Sequence, residues 1–145
     1  MIRRQALALA AGTGLGIVIQ ESLWLVLDVL DPGHSLNQAL SRAPSTDGWL
    51  APLVLAWLAG GAFGGLMATL VGQNRLIGHL TGVLLSGSAL LVAALALPDA
   101  GRLLVIAGCP VAGAALGTGI GTTLIEREAD PHASPGVAKL RGDSY

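Results

Sequence analysis

The chain has 145 residues, of which 52% are hydrophobic and only 12% are charged, and its formal net charge is −1. Soluble domains carry about 25% charged residues, so this composition excludes an ordinary water-soluble domain and favours a membrane protein. The eight Lys and Arg residues form no clustered basic face, so nucleic acid is not an expected partner.

Four apolar segments predict four membrane-spanning helices, at about residues 6–30, 50–72, 77–97 and 103–125. About 20 apolar residues are needed to cross a hydrocarbon core of ~30 Å, and each segment is long enough. The first segment is too long for a signal peptide and lacks a small-residue cleavage site, so we expect it to stay in the protein. The predicted fold class is an all-α integral membrane four-helix bundle formed by residues 1–125.

The basic residues predict how this bundle is oriented. Six lie on one side of the predicted spans, in the two flanks and the second connection: Arg3, Arg4, Arg75, Arg127, Lys139 and Arg141. Arg42 and Arg102 lie on the other side. Because basic loops stay in the cytoplasm, both termini are expected there, in a bacterial inner membrane. Residues 126–145 are expected to form a disordered cytoplasmic tail.

Glycines recur at four-residue spacing in every predicted helix. They are Gly12, Gly16, Gly60, Gly61, Gly64, Gly65, Gly78, Gly82, Gly113, Gly117 and Gly121. Such spacing places small residues on one helical face, where they let neighbouring backbones approach closely in a bilayer. The pattern predicts glycine-rich packing faces; a pore or a sliding gate is the functional alternative. Faces not used inside the bundle could bind a second copy or a larger partner.

Glu21 is the most informative polar residue, because it lies inside the first apolar segment. Gly14, Glu21 and Asp28 are spaced by seven, and with Trp24 they share one helical face. An intramembrane carboxyl is a candidate for binding and releasing protons. The structural alternative is that Glu21 reaches the outer interface or forms a hydrogen bond to a neighbouring helix. In a transporter, Trp24 and Trp57 would line the path beside Glu21.

Residues typical of catalysis or metal binding are sparse. Cys109-Pro110 lies in the fourth apolar segment, where proline kinks a helix, so Pro110 is a candidate hinge. A metal site would need more thiols or imidazoles than Cys109 and three scattered histidines supply. Nucleophile–base pairs and phosphate-binding loops are not recognisable either, so we expect no enzyme activity, no cofactor and no metal.

The layout resembles a loose group of small four-helix proteins of bacterial inner membranes. The shared features are a Leu-Ala-Trp run ending at Trp57, the paired glycines after it, a glutamate late in the first helix (Glu21), and a proline before a Gly-Ala-rich stretch (Pro110). The group often has a Pro-x-Trp sequence before the fourth helix, whereas this chain has Pro98-Asp99-Ala100. The resemblance implies an architecture and no particular activity.

The sequence favours a non-enzymatic membrane protein, either a structural or accessory subunit of a membrane complex or a homo-oligomer. The alternative is a small proton-coupled transporter or channel that uses Glu21, by analogy with small multidrug exporters. Those exporters are shorter and have short loops, unlike this chain. A membrane enzyme is the third hypothesis.

Overall fold

The computed structural model describes residues 2–30, 50–96 and 100–129. These residues form four α-helices, joined at one point by a short turn at Gln73 and Asn74. The helices are α1 (Ile2–Leu30), α2 (Leu50–Gly72), α3 (Arg75–Ala96) and α4 (Ala100–Ala129). The predicted all-α class with four helices is confirmed.

Three of the four helices contain segments long and apolar enough to cross a membrane. The segments are Ile2–Leu23 in α1, Val54–Gly72 in α2 and Ala107–Glu128 in α4. These segments indicate a membrane protein. The apolar segment found in α3, Arg75–Leu91, is shorter. A fourth crossing at residues 77–97 stays a prediction, since its last residue lies outside the described part.

The fourth helix is longer than the hydropathy pattern predicts. It continues to Ala129, so residues 126–129 are helical and do not belong to the predicted tail. Two interactions favour the extra turn: Glu126 forms an ion pair with Arg75 at 2.7 Å, and Arg127 lies in the last turn, where a cation interacts favourably with the helix dipole. The rest of the predicted tail, and the predicted outer loop at residues 31–49, lie outside the described residues.

The central helix of the structure is α2, which packs most extensively against α4 and α1. The contacts between α1 and α2 run antiparallel, since Gly12 faces Gly64 and Ala68 while Gly16 faces Gly60. The α3 helix packs across α4 and α2, and its fully buried Leu85 reaches Gly16 of α1. Most other buried apolar residues are alanines, so helix backbones rather than large side chains meet at the centre.

Two side-chain contacts bring four helix termini together at what we call the polar end of the bundle. Arg4 Nε donates a hydrogen bond to the Val71 carbonyl at 2.8 Å, which joins the start of α1 to the last turn of α2. Arg75 donates to Glu126, which joins the start of α3 to the last turns of α4. The first residues of α1 and the last residues of α4 therefore lie at the same end.

Candidate functional site

Glu21 lies on the exposed side of α1, away from the helix packing. Within the described part of the chain it has neither a hydrogen-bond partner nor an ion-pair partner. Its neighbours on this side are apolar: Val18 is 59% exposed and Leu25 is 69% exposed. The carboxyl group therefore interrupts an apolar outer surface.

The depth of Glu21 follows from its distance to the polar end. It lies 17 residues after Arg4, which corresponds to about 26 Å along a helix axis. Past Glu21, the outer surface of α1 is apolar again at Val26 and Val29. A hydrocarbon core is ~30 Å thick, so a carboxyl with apolar surface on both sides lies inside it or close to its outer boundary. A charged side chain costs on the order of 3 kcal/mol at the centre of a bilayer, and snorkelling lowers this cost towards the boundary.

The exposed residues around Glu21 form a straight row that we call the α1 outer seam: Leu7, Gly14, Val18, Glu21 and Leu25. Gly14 is open to the outside, because a Cβ atom added there would meet nothing within 4 Å. The predicted common face of Gly14 and Glu21 is thus an outward face. The side chains of Trp24 and Asp28, which the same spacing places on this face, lie outside what the structure describes.

Trp57 lies in a different environment from Glu21. Its side chain is buried in α2, with 7% of its surface exposed. The structure therefore does not bring Glu21 and Trp57 together in one buried site.

The eleven predicted packing glycines all lie against a neighbouring helix. A Cβ atom added at any of them would come within 3.1 Å of an atom of another helix. For several of these glycines the nearest atom is a backbone carbonyl oxygen. The Pro110 carbonyl faces Gly61, the Leu58 carbonyl faces Gly113 and the Ala62 carbonyl faces Gly117. Such contacts hold α2 close to α4 without intervening side chains.

Five polar side chains of the described residues are buried in the bundle: Gln20, Thr69, Thr81, Ser86 and Thr118. Three of the hydroxyls donate to backbone carbonyls, Thr69 to Gly65 at 2.8 Å, Thr81 to Ile77 at 3.0 Å, and Ser86 to Ala107 at 2.6 Å. Thr118 Oγ1 and Gln20 Nε2 have no partner in the described structure. The four-residue spacing of Gln20 from Gly16 and of Ser86 from Gly82 predicts that these two face the bundle, whereas the direction of the three threonines was not visible in the sequence.

Pro110 lies inside a continuous α4 helix and is almost fully buried. Proline removes one backbone hydrogen bond and disturbs the carbonyls of the preceding turn. The carbonyl that loses its helical donor is that of Ile106, four residues earlier, while Ser86 of α3 donates to the next carbonyl, that of Ala107. The hinge role of Pro110 stays a prediction.

The polar end contains a small cleft of about 130 Å³, lined by Gln73, Asn74, Arg75, Thr122, Ile125 and Glu126. The two charged side chains that form its ion pair are each about two-thirds exposed. Exposed pairs of this kind contribute little to stability, typically below ~1 kcal/mol. The cleft is shallow, and the hydroxyl in its lining, Thr122 Oγ1, donates to the Gly119 carbonyl at 2.8 Å.

In residues 2–30, 50–96 and 100–129, no three His, Cys, Asp or Glu side chains lie close enough together to hold a metal ion. Cys109, the one cysteine of the chain, is buried in α4.

No match was found among protein-family models, curated proteins or solved structures. Function is therefore inferred from the geometry around Glu21 and from the packed interior.

Proposed function

We propose that this chain is a non-enzymatic integral membrane protein that acts as a structural or accessory subunit, in a membrane complex or a homo-oligomer. It would cross a bacterial inner membrane four times with both termini in the cytoplasm. The exposed carboxyl of Glu21 is the observation that carries this proposal. A subunit that binds another polypeptide through the α1 outer seam would remove that carboxyl from lipid.

The cost of an unpaired carboxyl supports a partner at this position. Polar side chains inside a bilayer are favourable when they form hydrogen bonds across helices. Within the described part of the chain, Glu21 has no such bond to another helix. A neighbouring polypeptide that offers a donor at the same depth would satisfy it.

The close packing between α2 and α4 supports a structural role rather than transport. Backbone carbonyls of α2 lie directly against Gly113 and Gly117 of α4, and close-packed contacts of this type leave little freedom for helices to slide. A proton-coupled transporter would need Glu21 and Trp57 to line one path, but Glu21 is exposed and Trp57 is buried. This geometry favours assembly over transport.

The charge distribution supports the proposed orientation. Arg4 and Arg75 lie at the polar end together with the last turns of α4, which include Arg127. Basic residues at the ends of membrane spans favour the cytoplasmic side. Labelling of single cysteines placed in the two termini, in intact and in permeabilised cells, checks this orientation.

Native mass spectrometry of the protein, extracted gently from its own membrane, tests the assembly role. We expect the wild type in a fixed ratio with other chains or with itself. The Glu21→Leu variant should lower the association constant by roughly tenfold, which corresponds to about 1.4 kcal/mol, and so reduce the assembled fraction. The matched control is Ser22→Ala, an exposed residue on the same turn, which should leave the fraction unchanged.

Two results would overturn this proposal. The first is a wild-type protein that is a monomer under all gentle extraction conditions. The second is proton flux through proteoliposomes containing the purified protein that is abolished by Glu21→Gln, which would support the transporter hypothesis instead.

A further inference from the structure

We infer that the cleft at the polar end binds the headgroup of a phospholipid that carries both a phosphate and a primary ammonium group, as phosphatidylethanolamine does. Arg75 would contact the phosphate and Glu126 the ammonium group, both from the lining of the cleft. This site is separate from the α1 outer seam, so the inference goes beyond the assembly role and does not depend on it.

The cleft lies where the surface of a membrane is expected. It is lined by the turn between α2 and α3, by the first residue of α3 and by the last turns of α4. The apolar segment of α2 ends at Gly72, directly before this turn. The volume of the cleft is about 130 Å³, whereas pockets for drug-sized ligands begin at about 300 Å³. It therefore fits a small polar group attached to a lipid rather than a larger soluble molecule.

The cleft presents one cation and one anion side by side. Arg75 Nη2 lies 2.7 Å from Glu126 Oε1, and both side chains are about two-thirds exposed, so a ligand can reach both charges. The guanidinium keeps further N–H donors in a planar fork that matches a phosphate, and the carboxylate keeps lone pairs that accept from an ammonium group. A headgroup with both charges finds an opposite charge for each, whereas a purely anionic headgroup is repelled by Glu126.

The uncharged side chains of the lining divide in the same way. Asn74 Oδ1 accepts the Leu76 amide at 2.9 Å, so the NH₂ group of Asn74 is the part that can donate to a phosphate oxygen. Gln73, also in the lining, carries a second NH₂ group. On the α4 side, Thr122 Oγ1 donates to the Gly119 carbonyl and keeps its lone pairs as acceptors. The α2–α3 turn thus supplies donors for a phosphate, and α4 supplies acceptors for an ammonium group.

Apolar surface for the acyl chains continues from the cleft along α3 and α4. Val83 follows Arg75 by eight residues and is 58% exposed, and Ala115 precedes Thr122 by seven residues and is also exposed. Residues at these spacings share one face of their helix. The exposed His79, one turn after Arg75, would lie at the level of the glycerol esters, to which an imidazole can donate a hydrogen bond in either protonation state. A lipid held at the cleft would place its chains along this surface.

Native mass spectrometry of the delipidated full-length protein in detergent tests the site. Phosphatidylethanolamine, phosphatidylglycerol and phosphatidylcholine, all with dioleoyl chains, are titrated separately, and the affinity for the first bound lipid is compared. Phosphatidylglycerol has no ammonium group, and the quaternary ammonium of phosphatidylcholine has no N–H to donate. We expect phosphatidylethanolamine to bind at least roughly fivefold more tightly than either, the factor that corresponds to one charged contact at a membrane surface.

Two substitutions separate the two halves of the headgroup. Arg75→Gln should weaken the binding of all three lipids by roughly fivefold, because each contains a phosphate. Glu126→Gln should abolish the preference for phosphatidylethanolamine over phosphatidylglycerol, because it removes both the ammonium contact and the repulsion of an anionic headgroup. The exposed ion pair contributes little to stability, so the circular dichroism spectrum should stay unchanged in both variants.

The matched controls are Arg127→Gln and Glu128→Gln. They make the same changes of charge at exposed positions of α4 that do not line the cleft. Both should keep the affinities and the lipid preference of the wild type. Equal losses in Arg75→Gln and Arg127→Gln would mean that net charge rather than the cleft attracts the lipid, and would overturn the inference.

Free phosphoethanolamine distinguishes a lipid from a soluble ligand. It has the same two charged groups without acyl chains, so it should not displace phosphatidylethanolamine at an equal concentration. Displacement would assign the cleft to soluble phosphate esters and overturn the lipid site, as would equal affinities for the three lipids. A wild-type protein that is always a monomer but keeps the lipid preference would overturn the proposed function and leave this inference standing.

Discussion

The two sides of α4 carry the same residue type in opposite surroundings. On the inner side, Gly113 and Gly117 lie directly against carbonyl oxygens of α2. On the outer side, Gly108 and Gly119 would each tolerate a Cβ atom with nothing within 4 Å. A glycine in a membrane helix therefore does not identify a contact by itself, and the helix that faces it decides its role.

The inner contacts explain why glycine is retained there. A Cα atom without a side chain lets the carbonyl oxygen of the next helix approach it, and such Cα–H···O contacts contribute about 0.5–1 kcal/mol each. The intrinsic helix cost of glycine, about 1 kcal/mol in water, matters less in a bilayer, where unfolded backbone finds no water to bond with.

The largest effect should come from placing a methyl group at the closest inner contact. In Gly117→Ala, the new Cβ would overlap the Ala62 carbonyl, and neither backbone can rotate away. We expect a loss of roughly 2–3 kcal/mol in the free energy of unfolding, the upper part of the range for overpacked cores. Reversible unfolding in mixed detergent micelles measures this loss.

Gly119→Ala is the matched control on the same helix. It adds the same methyl group to an open position, so stability should stay the same or rise by up to about 1 kcal/mol from helix propensity. Equal losses in the two variants would mean that the inner and outer sides of α4 do not differ as described.

A smaller loss should follow from truncating Leu85 of α3, whose side chain reaches glycines of both α1 and α2. Leu85 is fully buried, and its methyl groups lie near the Cβ positions of Gly16 and Gly64. Leu85→Ala should cost about 2 kcal/mol, the low end for buried leucines, because the unfolded state in a membrane also keeps the side chain in an apolar solvent. Leu84→Ala, at an exposed position of the same helix, should cost less than about 0.5 kcal/mol.

Hydropathy and turn residues were sufficient to predict the helices. The predicted second helix matches α2 at both bounds, residues 50–72, because an apolar run ends there at the polar sequence Gln73-Asn74-Arg75. The end of α4 was not predictable in the same way. The last turns of α4 contain Glu126, which forms an ion pair with Arg75, 51 positions earlier in the chain, and no local pattern shows such a contact.

The direction that a side chain faces was harder to predict than the helix that carries it. Glycine spacing indicated a close approach, but α4 also has small residues at Gly108, Ala112, Ala115 and Gly119, and all four are exposed. Nothing in the sequence distinguishes this row from the inner one. Likewise, the apolar setting of Glu21 was evident, but its outward direction depends on Gly12 and Gly16 facing α2.

The smallest expected effect concerns a position where backbone freedom, rather than close approach, would favour glycine. Gln73 directly follows α2 and has a φ of 52°, in the left-handed region, although it is not glycine. A side chain there is strained, and glycine is the residue that usually follows a helix in this conformation. Gln73→Gly should therefore stabilise the protein by roughly 0.5–1 kcal/mol.

Gln73→Ala is the control for this last variant, because it removes the same amide but keeps the Cβ atom that causes the strain. Asn74 should still cap the start of α3 in both variants, since its Oδ1 accepts a hydrogen bond from the Leu76 amide at 2.9 Å. A gain in Gln73→Gly without a gain in Gln73→Ala, in the same micelle unfolding assay, isolates the backbone conformation as its cause. If alanine were as stabilising as glycine, the gain would come from losing the amide, and the left-handed turn would carry no measurable strain.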